Sequence, residues 1–181
     1  MNLLTRNPRA VLVALSSAAF VIGAAQAQTP GDALSVFMAY QTALNAGDAN
    51  ATAATWAENA QFAGAMGCTL AKPCIGRDAV RAGYIDPAVA MKIKHQVVGT
   101  PKLIGPNQLE IRLEVTWPAI GKLDPAVQRL VGTDVVRIHD GRILSKVYTP
   151  DMSDEQTRRF SEAVARDRER ERDTASNAER R

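Results

Sequence analysis

The sequence predicts an α+β domain in which helices come first and a long antiparallel meander follows, the helices covering the concave face of a strongly curved sheet. Three observations predict it. From Asp32 to Leu44 the apolar residues Leu34, Phe37, Met38, Tyr40 and Leu44 recur at mostly helical spacing. Beyond Ala90 the period switches to two. Asp140-Gly141 then makes a tight hairpin turn between two strand-like runs. A helical hairpin laid on such a sheet makes a cone, and a cone of this kind encloses a pocket.

Taken in order, Asp32 is the expected N-cap of the first helix and Gly47 its stop. Asp48 can cap a second helix from Ala49 to about Ala57, which brings in Trp56 as a plug between helices and sheet. Residues 59–66 read as extended, and a loop holding Cys68 and Cys74 follows. Asp78 to Ile85 forms a third short helix carrying Val80 and Tyr84, closed by Pro87. Ile93, His95 and Val97 share one strand face, opposite Lys92, Lys94 and Gln96. Gly105-Pro106-Asn107 is a turn. Leu109, Ile111, Leu113, Val115 and Trp117 alternate with polar partners in the clearest half-buried strand. Residues 118–125 make a loop. A strand over 129–139 sets Leu130, Gly132, Asp134, Val136 and Ile138 on one side, and the last strand runs from Arg142 to Thr149. Ser153 and Gln156 have capping-box spacing, so a helix starts there, docked by Phe160 and Val164. Past Arg166 no apolar face remains, which favours a solvated helix fraying into disorder over a partner-binding arm.

Residues 1–27 read as an export signal: Arg6 and Arg9, an apolar run from Ala10 to Ala25, then Ala25-Gln26-Ala27 as a cleavage site. The apolar run is shorter than the ~20 residues of a membrane span, and an uncleaved anchor is the alternative. Removing 27 of 181 residues leaves 154, enough for one domain with a real core. The domain is expected over 28–152, with a charged tail over 153–181. The mature chain keeps 20 of the 22 basic side chains against 19 acidic ones, and no single-sign patch, which argues against a nucleic-acid partner. The expected location is periplasmic or secreted. In an oxidising compartment Cys68 and Cys74 are expected to pair, contributing about 2 kcal/mol; two free thiols are the alternative. No cluster has metal-ligand spacing and no glycine-rich phosphate loop occurs, so no metal and no cofactor are expected.

Three stretches, AYQTALNAGDANATAATWAENAQF, GRDAVRAGY and GTDVVRIHDGRILSKVYTP, resemble the NTF2-like superfamily, above all the SnoaL-like branch that includes the ketosteroid isomerases. The resemblance covers roughly residues 33–150 and implies a cone-shaped fold that hosts isomerases, cyclases, dehydratases and ligand carriers alike. In the isomerases a carboxylate base stands beside an oxyanion hole made by a tyrosine and a neutral acid. Tyr40 matches the tyrosine and Asp134 the acid. The base falls at or near Gly64, where no proton-moving group stands. The resemblance also implies that the open sheet face can form a homodimer.

The candidate catalytic set is therefore Tyr40, His95 and Asp134, with His95 on an apolar strand face as the substitute base. For each there is a structural alternative: a satisfied core histidine, a packed aromatic, an acid paired inside the core. Tyr84 and Trp117 are candidates for lining the pocket mouth. The leading expectation is an exported binder of a small apolar molecule, with Tyr40 and Asp134 holding a carbonyl or hydroxyl at the pocket floor. An acid/base enzyme using His95 is the second, and a dimeric interaction module the third.

Overall fold

In the computed structural model, residues 30–179 are described, with side chains over 32–176. The expected export signal lies outside the described residues. Helix α1 (Pro30–Ala46) opens on a proline, which suits a first helical position because its missing N–H has no intrahelical partner there. Asp32 therefore lies inside the first turn rather than at the cap. Gly47 ends α1 at φ +78°, and Asp48 caps α2 (Ala49–Ala54) by accepting from Ala51 N at 2.8 Å. Helix α2 is shorter than expected, because Trp56 already begins strand β1 (Trp56–Ala63). There it meets the rings of Tyr40 and Phe62 edge-on.

Strand β2 (Cys74–Ile75) pairs with β1, and the expected disulfide between Cys68 and Cys74 closes the loop between them. The third helix does not stop at Pro87. It runs as α3 (Arg77–Val80), a π-helical segment (Arg81–Ile85) and α4 (Asp86–Ala90), with Pro87 near the start of the last piece, where a proline is tolerated. Strands β3 (Lys94–Val97), β4 (Lys102–Gly105), β5 (Gln108–Thr116), β6 (Leu130–His139) and β7 (Arg142–Pro150) complete the sheet; β4 carries no sequence signal because its residues Leu103 and Ile104 are exposed and show no alternation. The sheet order is β2-β1-β7-β6-β5-β3, with β4 also on β5. Neighbours are antiparallel except β1 beside β7. Asp140 and Gly141 both take positive φ in the hairpin, as a two-residue turn of matching twist requires.

Helix α5 (Glu155–Glu179) follows. The capping box is replaced by Asp154, whose Oδ1 accepts from Thr157 N at 2.9 Å. Gln156 instead turns away and accepts from Gln128 N, and Thr157 ties its hydroxyl to the backbone of Val131. The first turns of α5 are thus stitched to the start of β6, and Phe160 sits edge-on to Trp117 at 5.4 Å. The helix is continuous through Glu179, so the charged tail is helical well past Arg166. Among the described residues no helix is long and apolar enough to cross a membrane.

Candidate functional site

A cavity of about 350 Å³ opens between the concave sheet face and α5. Its walls are mainly apolar, including Phe62, Met66, Ile93, Val115 and Leu130, with Trp117 at the side nearest the helix. Helix α5 closes it with Thr157, Phe160 and Val164, the turns expected to dock, and with Arg168 from the stretch expected to be solvated. Its inner end is marked by the polar side chains of Tyr84, His95 and Lys146, which lie together, and Tyr148 adds a fourth polar group to the sheet side of the lining.

Each is placed by local structure. Tyr84 stands in the π-helical segment, a geometry often found at functional sites. That segment is braced from behind by the disulfide: a Cβ on Gly83 would fall 2.5 Å from Cys74 Sγ and 2.8 Å from Cys68 Sγ, so only glycine lets the bridge pack there. His95 lies on edge strand β3, whose outward backbone groups are taken up by α1. Asn45 accepts from His95 N at 2.8 Å and donates to His95 O at 2.8 Å, and Gln41 donates to the same carbonyl at 3.0 Å. An amide side chain here does the work of a missing strand partner.

Lys146 was not foreseen. Plain alternation from Ile143 would bury Ser145 and Val147 and send Lys146 into solvent, the ordinary place for a lysine. A bulge in β7, where Arg137 faces Ser145 but Ile138 faces Ile143, inserts Leu144 as an extra residue and reverses the parity. Lys146 then points inward and is 1% exposed, while Val147 is 37% exposed. Its ammonium lies 3.0 Å from Asp134 Oδ1 and within 4.6, 5.0 and 5.6 Å of the rings of Phe62, Tyr84 and Tyr40. The same bulge brings Tyr148 inward, and its ring lies over Gly132, where a Cβ would meet it at 2.4 Å.

Of the expected catalytic set, His95 reaches the cavity wall, while Tyr40 and Asp134 lie behind it and are 0% exposed. Tyr40 Oη is 2.8 Å from Tyr84 Oη, and Tyr84 Oη is 3.4 Å from His95 Nε2. Asp134 meets the Lys146 ammonium at 3.0 Å, and among the described residues no other donor reaches its oxygens. Of the two expected mouth residues, Tyr84 stands at the inner end and Trp117 on the wall.

Burial raises the Asp134 carboxyl, and the Lys146 ammonium pulls the other way. Burial alone would lower Lys146, but the Asp134 carboxylate and the Tyr84 phenol turn its net direction upward. The upward direction at Asp134 favours a neutral acid, whereas the 3.0 Å contact favours a carboxylate. We assign an ion pair, because a neutral acid would leave the buried ammonium with no counter-charge. Burial, with the nearby Lys146 charge, pushes His95 down to about 3, so its ring is neutral at pH 7. Tyr40 is pushed up by burial and by Tyr84, and Tyr148 also lies above its ordinary range, mainly through burial.

Gly64 has no space for a substitute. It has φ +110°, and a Cβ there would stand 2.0 Å from the Tyr148 carbonyl oxygen. Backbone therefore closes Gly64, at or near which the resemblance would set a base.

This fold and site belong to a known class. The chain belongs to the SnoaL-like domain family, whose model matches residues 37–146, and its fold is that of the NTF2-like cones. Among curated proteins no sequence matches. Three solved structures show how widely the fold is used. SalBIII, an epoxide hydrolase/cyclase-like enzyme of pyran ring formation in salinomycin, is similar at 23% identity and TM-score 0.55, over 68% of this chain and 94% of that one. A computationally designed 17-OHP binder is similar at 14% identity and TM-score 0.54, over 67% and 92%. An NTF2-like protein from Cytophaga hutchinsonii is similar at 16% identity and TM-score 0.50, over 67% and 91%. The family match stops at Lys146, so Tyr148 and the whole of α5, which complete the cavity, lie beyond it.

Proposed function

We propose that this is an exported SnoaL-like protein that binds one small, mostly apolar molecule in the cavity between the sheet and α5. The single observation that carries this reading is the cavity itself: about 350 Å³ of space with apolar walls and a few polar tips gathered at one end, the composition that small-molecule sites share. Export is supported by the Cys68–Cys74 bridge, which persists in oxidising compartments. Lys146, Tyr84 and His95 are the polar contacts, and Tyr40 and Asp134 support them from behind. An acid/base enzyme is weakly supported. A histidine held near 3 is a poor proton acceptor at neutral pH, and a carboxylate cannot stand at Gly64.

The test is titration of the purified protein with the apolar fluorophore N-phenyl-1-naphthylamine, beside a Leu130→Trp variant that fills the cavity. Saturable binding at one site, lost in the variant, is the expected result. Binding that does not saturate, or that is unchanged in Leu130→Trp, overturns the reading.

A further inference from the structure

The polar groups at the inner end of the cavity can be sorted by what they have left to give. Tyr40 is fully buried and its hydroxyl has one partner, Tyr84 Oη at 2.8 Å. Its proton has nowhere else to go, so Tyr40 donates and Tyr84 accepts. The proton of Tyr84 then turns to His95 Nε2, 3.4 Å away. In a neutral imidazole the nitrogen that accepts carries no proton, so the proton sits on Nδ1. Nδ1 is buried and has no partner among the described residues.

Lys146 has three N–H bonds. Asp134 takes up one N–H of the ammonium at 3.0 Å and the Tyr84 hydroxyl stands as acceptor for a second, which leaves one, with the rings of Phe62, Tyr84 and Tyr40 packed around it. Ring faces attract a cation but do not accept as an oxygen does. The acceptors that reach the cavity here are engaged, His95 Nε2 by Tyr84 and Tyr84 by Tyr40 and Lys146, while Asp134, paired with Lys146, is fully buried behind the wall. Beside them the Tyr148 hydroxyl, which has no partner among the described residues, can either give or take. The inner end is thus rich in unspent donors and poor in unspent acceptors.

A bound molecule that brings a hydroxyl must bury a proton for which there is one taker at most. One that brings a carbonyl oxygen buries two lone pairs among donors. Resting on the reading of the cavity as a ligand site, we infer that it selects apolar molecules carrying a carbonyl oxygen, held by Lys146, over alcohols and hydrocarbons of the same shape.

The experiment measures the affinity of the full-length protein for fluorenone, fluoren-9-ol and fluorene, with the infrared carbonyl band of bound fluorenone as a second readout. A hydrogen bond to a charged donor predicts that the ketone binds about tenfold or more tightly than the hydrocarbon. The alcohol should lie between them, and the carbonyl band should move to lower frequency than in hexane. In the double variant Asp134→Leu/Lys146→Met, which replaces both charges by apolar groups of similar size, the ketone-to-hydrocarbon ratio should fall to about one. Equal affinities for the three ligands in the natural protein, or a preference for the ketone that survives in the double variant, overturn the inference and leave the cavity reading standing. Failure of all three to bind overturns both.

Discussion

His95 makes acid the sharpest probe of this core. Its folded value, about 3, lies below the ordinary 6.5, so between those limits the unfolded chain binds a proton that the folded chain refuses. Stability is fully expressed above pH 6.5 and falls as the pH drops toward 3. The unfolded state gains about 2 kcal/mol from this one group between pH 7 and 5, by linkage over those two values. The groups that face the ring all oppose its charging or leave it unaided: the Lys146 ammonium repels it, and Tyr84 offers it a proton. Asp134 has the opposite sense, because its folded value is raised and mild acid favours the folded chain above the carboxylate's ordinary 3.8. The comparison that isolates His95 is urea denaturation at pH 7 and 5 of the natural protein and of His95→Gln, whose amide can still accept from Tyr84. The natural protein should lose about 2 kcal/mol more than the variant. Equal losses would refute the account of His95 as a buried neutral ring.

Three further outcomes follow from the packing. Lys146→Met leaves the Asp134 carboxylate buried without a counter-charge and should cost about 3–5 kcal/mol in urea denaturation, whereas Asp134→Leu/Lys146→Met should lie near the natural protein; a single variant no worse than the double would show that the pair is not charged. Gly64→Ala places a methyl against the Tyr148 carbonyl at a strained φ and should cost more than about 1 kcal/mol, read as a lower melting temperature. Cys68→Ser/Cys74→Ser should cost about 2 kcal/mol, and because the bridge packs on Gly83 beside Tyr84 it should also weaken binding of the apolar fluorophore. If binding is untouched in that variant, the brace is irrelevant to the pocket.

The parts of this fold that were legible in the sequence share one property: their signal is local. The stop at Gly47 and the cap at Asp48 depend on backbone preferences a few residues long. The alternation from Leu109 to Val115 needs only one buried face, and those four residues are indeed buried. The turn at Asp140-Gly141 and the pairing of Cys68 with Cys74 are equally short-range. Asp134 could be singled out as a carboxylate on an apolar strand face, and His95 as a histidine on another.

Their partners could not, because tertiary packing supplies them. Whether Lys146 faces inward depends on one extra residue in β7, and a bulge is settled by how β6 and β7 fit together rather than by the composition of either strand. Whether Tyr40 touches a ligand depends on Tyr84, which comes to it from 44 positions away and stands between it and the cavity. Whether α5 floats or covers the mouth depends on Gln156, Thr157 and Phe160 finding β6 and Trp117 across the fold. Sequence by itself determined the scaffold and marked two of its unusual polar residues. Tertiary structure decided which polar atoms reach the cavity, because a side chain's direction inside a curved sheet is set by register, and register is a property of strand pairs.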